Sequence, residues 1–135
     1  MTHDTARAEL AAAFRLTARE GMHEGVANHF SLAVNDDGTE FLINPRKHFS
    51  RIRASDLWVI DAKDPDSAKG EDAPDPTAWG LHASLHRHVP HARCAMHVHS
   101  TYATVLASLA DSRLPPIDQS SAMFYNRQVI DENYG

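Results

Sequence analysis

The stretch Ala95-Met96-His97-Val98-His99-Ser100 decides how the chain is read. Cys94 leads into it, Val98 separates two histidines, and an apolar-leaning run from Tyr102 to Leu109 follows. As a short buried strand it sends residues two apart to one face, roughly 7 Å apart along the backbone. Two imidazoles so placed can converge on one ion, and imidazole suits zinc or, less selectively, manganese, iron or copper. Open catalytic zinc sites use three protein ligands plus water, so His97 and His99 leave one ligand to be found. The spacing alone reads equally as two strand-end histidines hydrogen-bonded to backbone or water.

With 135 residues, 42% of them hydrophobic, the chain suits a single domain, residues 1–135, with a real core. A net charge of −5 argues against nucleic acid or an anionic membrane surface as partner. Only Arg46-Lys47, with Arg51 and Arg53 nearby, gathers positive charge. No apolar run approaches the roughly 20 residues of a membrane span. The N-terminus lacks the basic-then-apolar order of a signal peptide. Cys94 stands alone, so no internal disulfide forms and a reducing, cytoplasmic compartment is expected. The ten histidines are dispersed rather than contiguous, unlike a purification tag.

Residues 4–22 read as an amphipathic helix with Leu10, Phe14, Ala18 and Met22 on its apolar stripe, capped by Asp4 or Thr5 and stopped near Gly21. A polar loop leads to a strand at Phe30–Val34, a tight turn at Asn35-Asp36-Asp37-Gly38, and a return strand at Glu40–Asn44. Leu57–Asp61 reads as a third strand, and residues 62–76 as a surface excursion. Thr77 is placed to cap a helix reaching His88, with Trp79, His82, Leu85 and His86 on one face. Ser100 caps another helix, to about Ala110, closed by Pro115-Pro116. The segment from Ile117 carries Phe124, Tyr125, Val129, Ile130 and Tyr134, whose aromatics imply order, yet it ends at Gly135 without a closing element. A sheet with so few covering elements is short of burial, so the chain reads as cut rather than finished.

His82 and His86, at i and i+4, resemble a zincin pair in spacing but have no glutamate between them to serve as base. Packing and hydrogen bonding beneath the histidine strand is their favoured role, where either ring can fix the tautomer of a ligand. His29 lies in a loop just before a strand, a common place for function. His23, His48, His88 and His91 read as loop or surface residues. Asn28, Asn44 and Arg46 read either as an anion-binding loop cluster or as turn residues with a solvated arginine. Ser100 lacks a hydrolase elbow, and Cys94 reads as an inert thiol of the strand.

In order, several motifs resemble the class II aldolase and adducin family. They are Gly25-Val26-Ala27-Asn28-His29-Phe30-Ser31, Phe41-Leu42-Ile43-Asn44-Pro45, Ala54-Ser55-Asp56-Leu57, Leu81-His82-Ala83-Ser84-Leu85-His86, and above all Ala92–Ser100. The resemblance implies a three-layer α/β/α fold around a mainly antiparallel sheet. It further implies a homo-oligomer, usually a tetramer, with active sites between subunits. Enzyme members hold a divalent metal, commonly zinc and otherwise manganese, on two histidines of the strand and a third much later. That third ligand would fall after Gly135, making the chain the first half to two-thirds of a family domain.

Departures from the family bear on the reaction. The position of the catalytic glutamate of the sugar-phosphate aldolases is matched by Ala78, which cannot exchange a proton. Asn28 and His29 stand where the phosphate-binding glycine-asparagine pair belongs, and Asn44, near Arg46, replaces a phosphate-binding threonine. The Ala-Asn-His-Phe-Ser loop looks like a branch that includes a pyridine-dicarboxylate decarboxylase. The expectation is a divalent-metal-dependent carbon–carbon lyase, of aldolase or decarboxylase type, for a small anionic oxygenated substrate. Its metal ligands are His97 and His99, its anion-binding residues Asn28, His29, Asn44 and Arg46, and its supporting residues His82 and His86. The rivals are an adducin-like scaffold without chemistry and an inactive fragment.

Overall fold

The computed structural model describes residues 2–132. They divide into two compact units, residues 2–99 and 100–132. In the first, helix α1 (Asp4–Arg19) begins after His3, whose left-handed backbone (φ 62°) rather than a side-chain cap turns the chain in. The buried side of α1 is Arg7, Leu10, Ala11, Phe14 and Thr17, which follows the 3.6-residue period. A strict repeat of four drifts off that face. Ala18 is therefore only half-buried, and Met22, expected on the stripe, lies beyond the helix and is exposed. Buried Arg7 is satisfied by carbonyls: Nε donates to Thr2 O (2.7 Å), and Nη1 to Ala54 O (3.2 Å) and Leu57 O (2.6 Å).

Four strands follow: β1 (His29–Ala33), β2 (Glu40–Ile43), β3 (Trp58–Asp61) and β4 (Cys94–His97). They form one sheet in the order β3-β2-β1-β4, with every neighbouring pair antiparallel. The β1–β2 hairpin closes where expected: Asn35 Oδ1 accepts from Glu40 N (2.9 Å), and Gly38 takes the left-handed conformation (φ 77°) that the turn requires. Opposed residues share a face, so the pairings Leu32–Leu42, Leu42–Val59 and Phe30–Met96 define one side of the sheet. Against it packs α1, with Phe14 stacked on Phe30 (ring centroids 4.8 Å apart) and edge-on to Phe49 (4.6 Å).

The other side carries His29, Ser31, Phe41, Ile43, Ile60 and His97, and helix α2 (Pro76–His88) covers it. Ala78 and Ala83 of α2 join Phe41, Ile43, Ile60 and Ala62 in a second apolar cluster. Helix, sheet and helix make the three-layer α/β/α arrangement. Asp75, not Thr77, caps α2, its carboxylate accepting from Thr77 N (2.9 Å). Pro76, lacking an N–H, fits the first helical position and pushes the cap one residue upstream of it. β4 is an edge strand of this sheet rather than the buried strand expected, and its Cys94 and Met96 are exposed.

The second unit holds α3 (Thr101–Ala107), shorter than expected, and one helical turn, α4 (Gln119–Ala122). Asp118 caps α4, accepting from Ser121 N (2.6 Å). Gln128 binds both backbone groups of Leu114 (2.9 and 3.0 Å). Phe124, Tyr125 and Val129 are exposed, and Tyr134 lies outside the described residues. No helix among the described residues is long and apolar enough to cross a membrane.

Candidate functional site

Antiparallel pairing sets His29 of β1 directly opposite His97 of β4, on the α2 side of the sheet. Their rings stack at 4.4 Å between centroids, 11° from parallel. Two residues on, His99 turns its ring toward the same place, so that His97 Nε2 and His99 Nε2 are 2.9 Å apart. The far nitrogen of His99, Nδ1, meets the Glu24 carboxylate at 2.9 Å. A carboxylate only accepts, so Nδ1 carries the proton and Nε2 is bare. Asn28 fixes this corner. Its Oδ1 accepts from Glu24 N (3.0 Å) and His99 N (3.2 Å), and its Nδ2 donates to Glu24 O (3.1 Å). His97 is held neutral, its pKa lowered by burial and then by His99.

Behind His29 runs a chain of buried polar contacts. His29 Nδ1 meets His82 Nε2 at 2.7 Å, His82 Nδ1 meets Ser31 Oγ at 2.6 Å, and Ser31 Oγ meets His86 Nε2 at 2.7 Å. His82, Ser31 and His86 are fully buried. Burial, then the neighbouring His97, brings the His29 pKa down to about 4; burial, then His29, takes His82 to about 3. These rings are neutral at pH 7.

Beside His29 lies a cavity of about 90 Å³, lined by Asn28, His29, Asn44, Arg46, Asp75 and Ala78 among others. The four residues expected to bind an anion therefore come together, as does Ala78, the residue expected at the position of the family glutamate. Arg46 Nε lies 3.6 Å from Asp75 Oδ2 across this cavity. The Thr77 hydroxyl and Arg46 hold the Asp75 carboxyl below its ordinary range. Asn44 spends its amide on the backbone, accepting from Phe30 N (3.1 Å) and donating to Asn28 O (3.2 Å) and Pro45 O (3.0 Å). Asn28 keeps one amide hydrogen uncommitted.

The model of the class II aldolase and adducin N-terminal domain matches residues 8–135. The chain belongs to that family. Decarboxylase NovR of Streptomyces niveus is 29% identical over 128 residues, which are 93% of this chain and 47% of that protein. An adducin-related protein of Schizosaccharomyces pombe is 36% identical over 104 residues, 72% of this chain and 32% of that protein. Among solved structures, L-fuculose 1-phosphate aldolase from Glaciozyma antarctica matches with a TM-score of 0.78 at 26% identity, over 89% of this chain and 49% of that one. The chain thus spans about a third to a half of the length of these relatives.

Class II aldolases are generally dependent on a divalent metal, and the donor set here fits such an ion in part. His97 and His99 face each other through Nε2, and Glu24 stands behind His99 as the carboxylate partner common to metal-binding histidines. Among the described residues no group of three histidine, cysteine or acidic side chains converges as a metal site would require. His23 and His48 form another ring pair, Nε2 to Nε2 at 2.7 Å. There His48 Nδ1 accepts from Ser50 N (3.3 Å), which leaves the proton on its Nε2 to donate to His23, just as His97 Nε2–H donates to the bare Nε2 of His99.

Sequence reasoning missed Glu24, Ser31 and Asp75. Glu24 and Ser31 lie far along the chain from the histidines they hold: the β1–β4 pairing brings Glu24 to His99, and the packing of α2 over β1 brings Ser31 to His82 and His86. Asp75 was within reach, because the pattern Asp-Pro-Thr before a helix is a capping signal.

Proposed function

We propose that this chain carries part of the active site of a divalent-metal-dependent carbon–carbon lyase, of aldolase or decarboxylase type, for a small anionic, oxygenated substrate. One observation carries the reading: two Nε2 atoms, His97 and His99, converge within 2.9 Å at the end of an edge strand. His29, stacked on His97, lines the adjoining cavity together with Arg46. A bound divalent ion supplies Lewis-acid stabilisation of negative charge developing on substrate oxygens. The chain's own residues do the rest. Arg46 offers a charged fork to a carboxylate or phosphate, in competition with Asp75. Asn28 and Asn44 hold the loop in shape, and His29 offers its second ring nitrogen. Ala78 moves no proton, so the proton step falls to another group, which fits a decarboxylation better than a sugar-phosphate cleavage.

The third ligand would come from outside the described residues or from a second chain, in keeping with a homo-oligomer, a tetramer by family resemblance. Zinc is the first candidate ion and manganese the second. Residues 1–135 are read as part of one family domain, and the lone thiol suits a cytoplasmic setting. A scaffold reading, as in adducin-related proteins, draws its support from Ala78, which is buried among Phe41, Ile43 and Ile60.

Elemental analysis of untagged protein tests the choice. The lyase reading expects near-stoichiometric metal in the native chain and its loss in the His97→Ala, His99→Ala double variant. Metal retained in the double variant overturns the assignment of these ligands. Metal absent from both supports the scaffold or the inactive fragment.

A further inference from the structure

Ser31, His82 and His86 occupy the interface between the sheet and α2, where packing alone calls for apolar residues. Every nitrogen and oxygen along the row is accounted for except one: His86 Nδ1 is buried with no partner. That orphan decides where the protons lie.

Three arrangements satisfy the geometry. In the first, Ser31 donates to His86 Nε2, which puts the His86 proton on Nδ1 as a buried donor with no acceptor. In the second, both rings donate to Ser31 and the serine hydroxyl hydrogen is left unpaired, because its only partners are these two rings. In the third, His86 Nε2–H donates to Ser31, Ser31 donates to His82 Nδ1, and His82 Nε2–H donates to His29 Nδ1. Only a bare His86 Nδ1 then goes unmet. An unpaired buried donor costs on the order of 1–3 kcal/mol, and orphaned buried N–H groups are rare. Burial, then the charge of Arg93, lowers the His86 pKa and keeps the ring neutral.

We propose that the His86–Ser31–His82 row is a one-way hydrogen-bond wire that fixes His29 as its Nε2–H tautomer, so that His29 presents a donor to an anionic oxygen in the cavity. Ser31, His82 and His86 are positioning residues: they touch no ligand and act through His29. The wire works as a unit, since one hydroxyl proton sets the orientation of every bond after it. Its consequence is selectivity. A donor at His29 beside Arg46 favours a ligand that brings acceptors, such as a carboxylate, and rejects one that brings a hydroxyl proton needing an acceptor there. The link to a ligand rests on the lyase reading, whereas the tautomer itself does not.

Long-range nitrogen–proton NMR correlations of the imidazoles, on the metal-free chain above neutral pH, test this directly. The expected pattern is protonated Nε2 and bare Nδ1 for His29, His82 and His86. A proton on His29 Nδ1 overturns the proposal. In Ser31→Ala the single-tautomer pattern of His29 is lost to a mixture, and Ser31→Thr, which keeps the hydroxyl, restores it. An unchanged His29 pattern in folded Ser31→Ala also overturns it; should that variant fail to fold, the native pattern still decides. Metal content is read separately, so failure of the wire and failure of the metal site are distinguishable.

Discussion

Lowering the pH should destabilise this chain through His82, and the size of the effect follows from its surroundings. The ring is inaccessible to solvent, and burial, then the neighbouring His29 and His86 rings, takes its pKa to about 3. In the unfolded chain a histidine titrates near 6.5. Between those values the unfolded state holds a proton that the native state refuses, so stability is full above about pH 6.5 and falls as the pH drops toward 3. The slope is about 1.4 kcal/mol per pH unit, which amounts to about 2 kcal/mol between pH 6.5 and pH 5. Urea unfolding of the metal-free chain at pH 7 and pH 5 measures it. At about 1–3 kcal/mol per molar urea, the His82 share of the midpoint shift is roughly 1 M. His82→Gln cannot take up the proton but keeps hydrogen-bonding groups for Ser31 and His29. Its loss over the same range should be smaller by about 2 kcal/mol, the other histidines contributing equally to both proteins. Parallel stability-versus-pH curves for the two would refute the reasoning.

Two further outcomes follow from the packing and from the support of His99. Phe14→Ala removes the ring that stacks on Phe30 and meets Phe49 edge-on in the fully buried α1 core, and should cost about 3–5 kcal/mol in urea unfolding. Glu24→Gln removes the carboxylate that fixes the His99 tautomer. It should weaken zinc binding by roughly tenfold, the low end for such partners because Glu24 is largely exposed, as read by competition with a chromogenic chelator. Unchanged zinc affinity in that variant would detach Glu24 from the site.

What the sequence disclosed was what local rules control. The Asn35–Gly38 turn carries its own chemistry, and β1 and β2 follow from it. The two-residue period of a strand put His97 and His99 on one side, and the structure brings their Nε2 atoms within 2.9 Å. Periodicity failed where the context was lateral. Cys94 and Met96 look like core residues, yet β4 lies at the sheet edge and leaves them exposed. The pairing of His29 with His97 needs the β1–β4 register, which no short window contains. The stacking of His82 beneath Ser31 needs, in addition, the angle at which α2 crosses the sheet.

The α2 side of the sheet is divided in a way that bears on the choice between enzyme and scaffold. Over β2 and β3 it is apolar, with Phe41, Ile43 and Ile60 against Ala78 and Ala83. Over β1 it turns polar, with His29 and Ser31 against His82 and His86. Ala78 and His82 are one helical turn apart, so the boundary runs along α2 itself and the cavity opens beside it. A half-satisfied buried network is worse for stability than an apolar interface. A domain serving only as scaffold would gain from leucines at 82 and 86, continuing the packing that the neighbouring strands already have. The chain instead keeps two buried imidazole–hydroxyl contacts, one imidazole–imidazole contact and one orphaned nitrogen, all leading to the ring that lines the cavity. That arrangement costs stability, a cost that the binding-site reading explains and the scaffold reading does not.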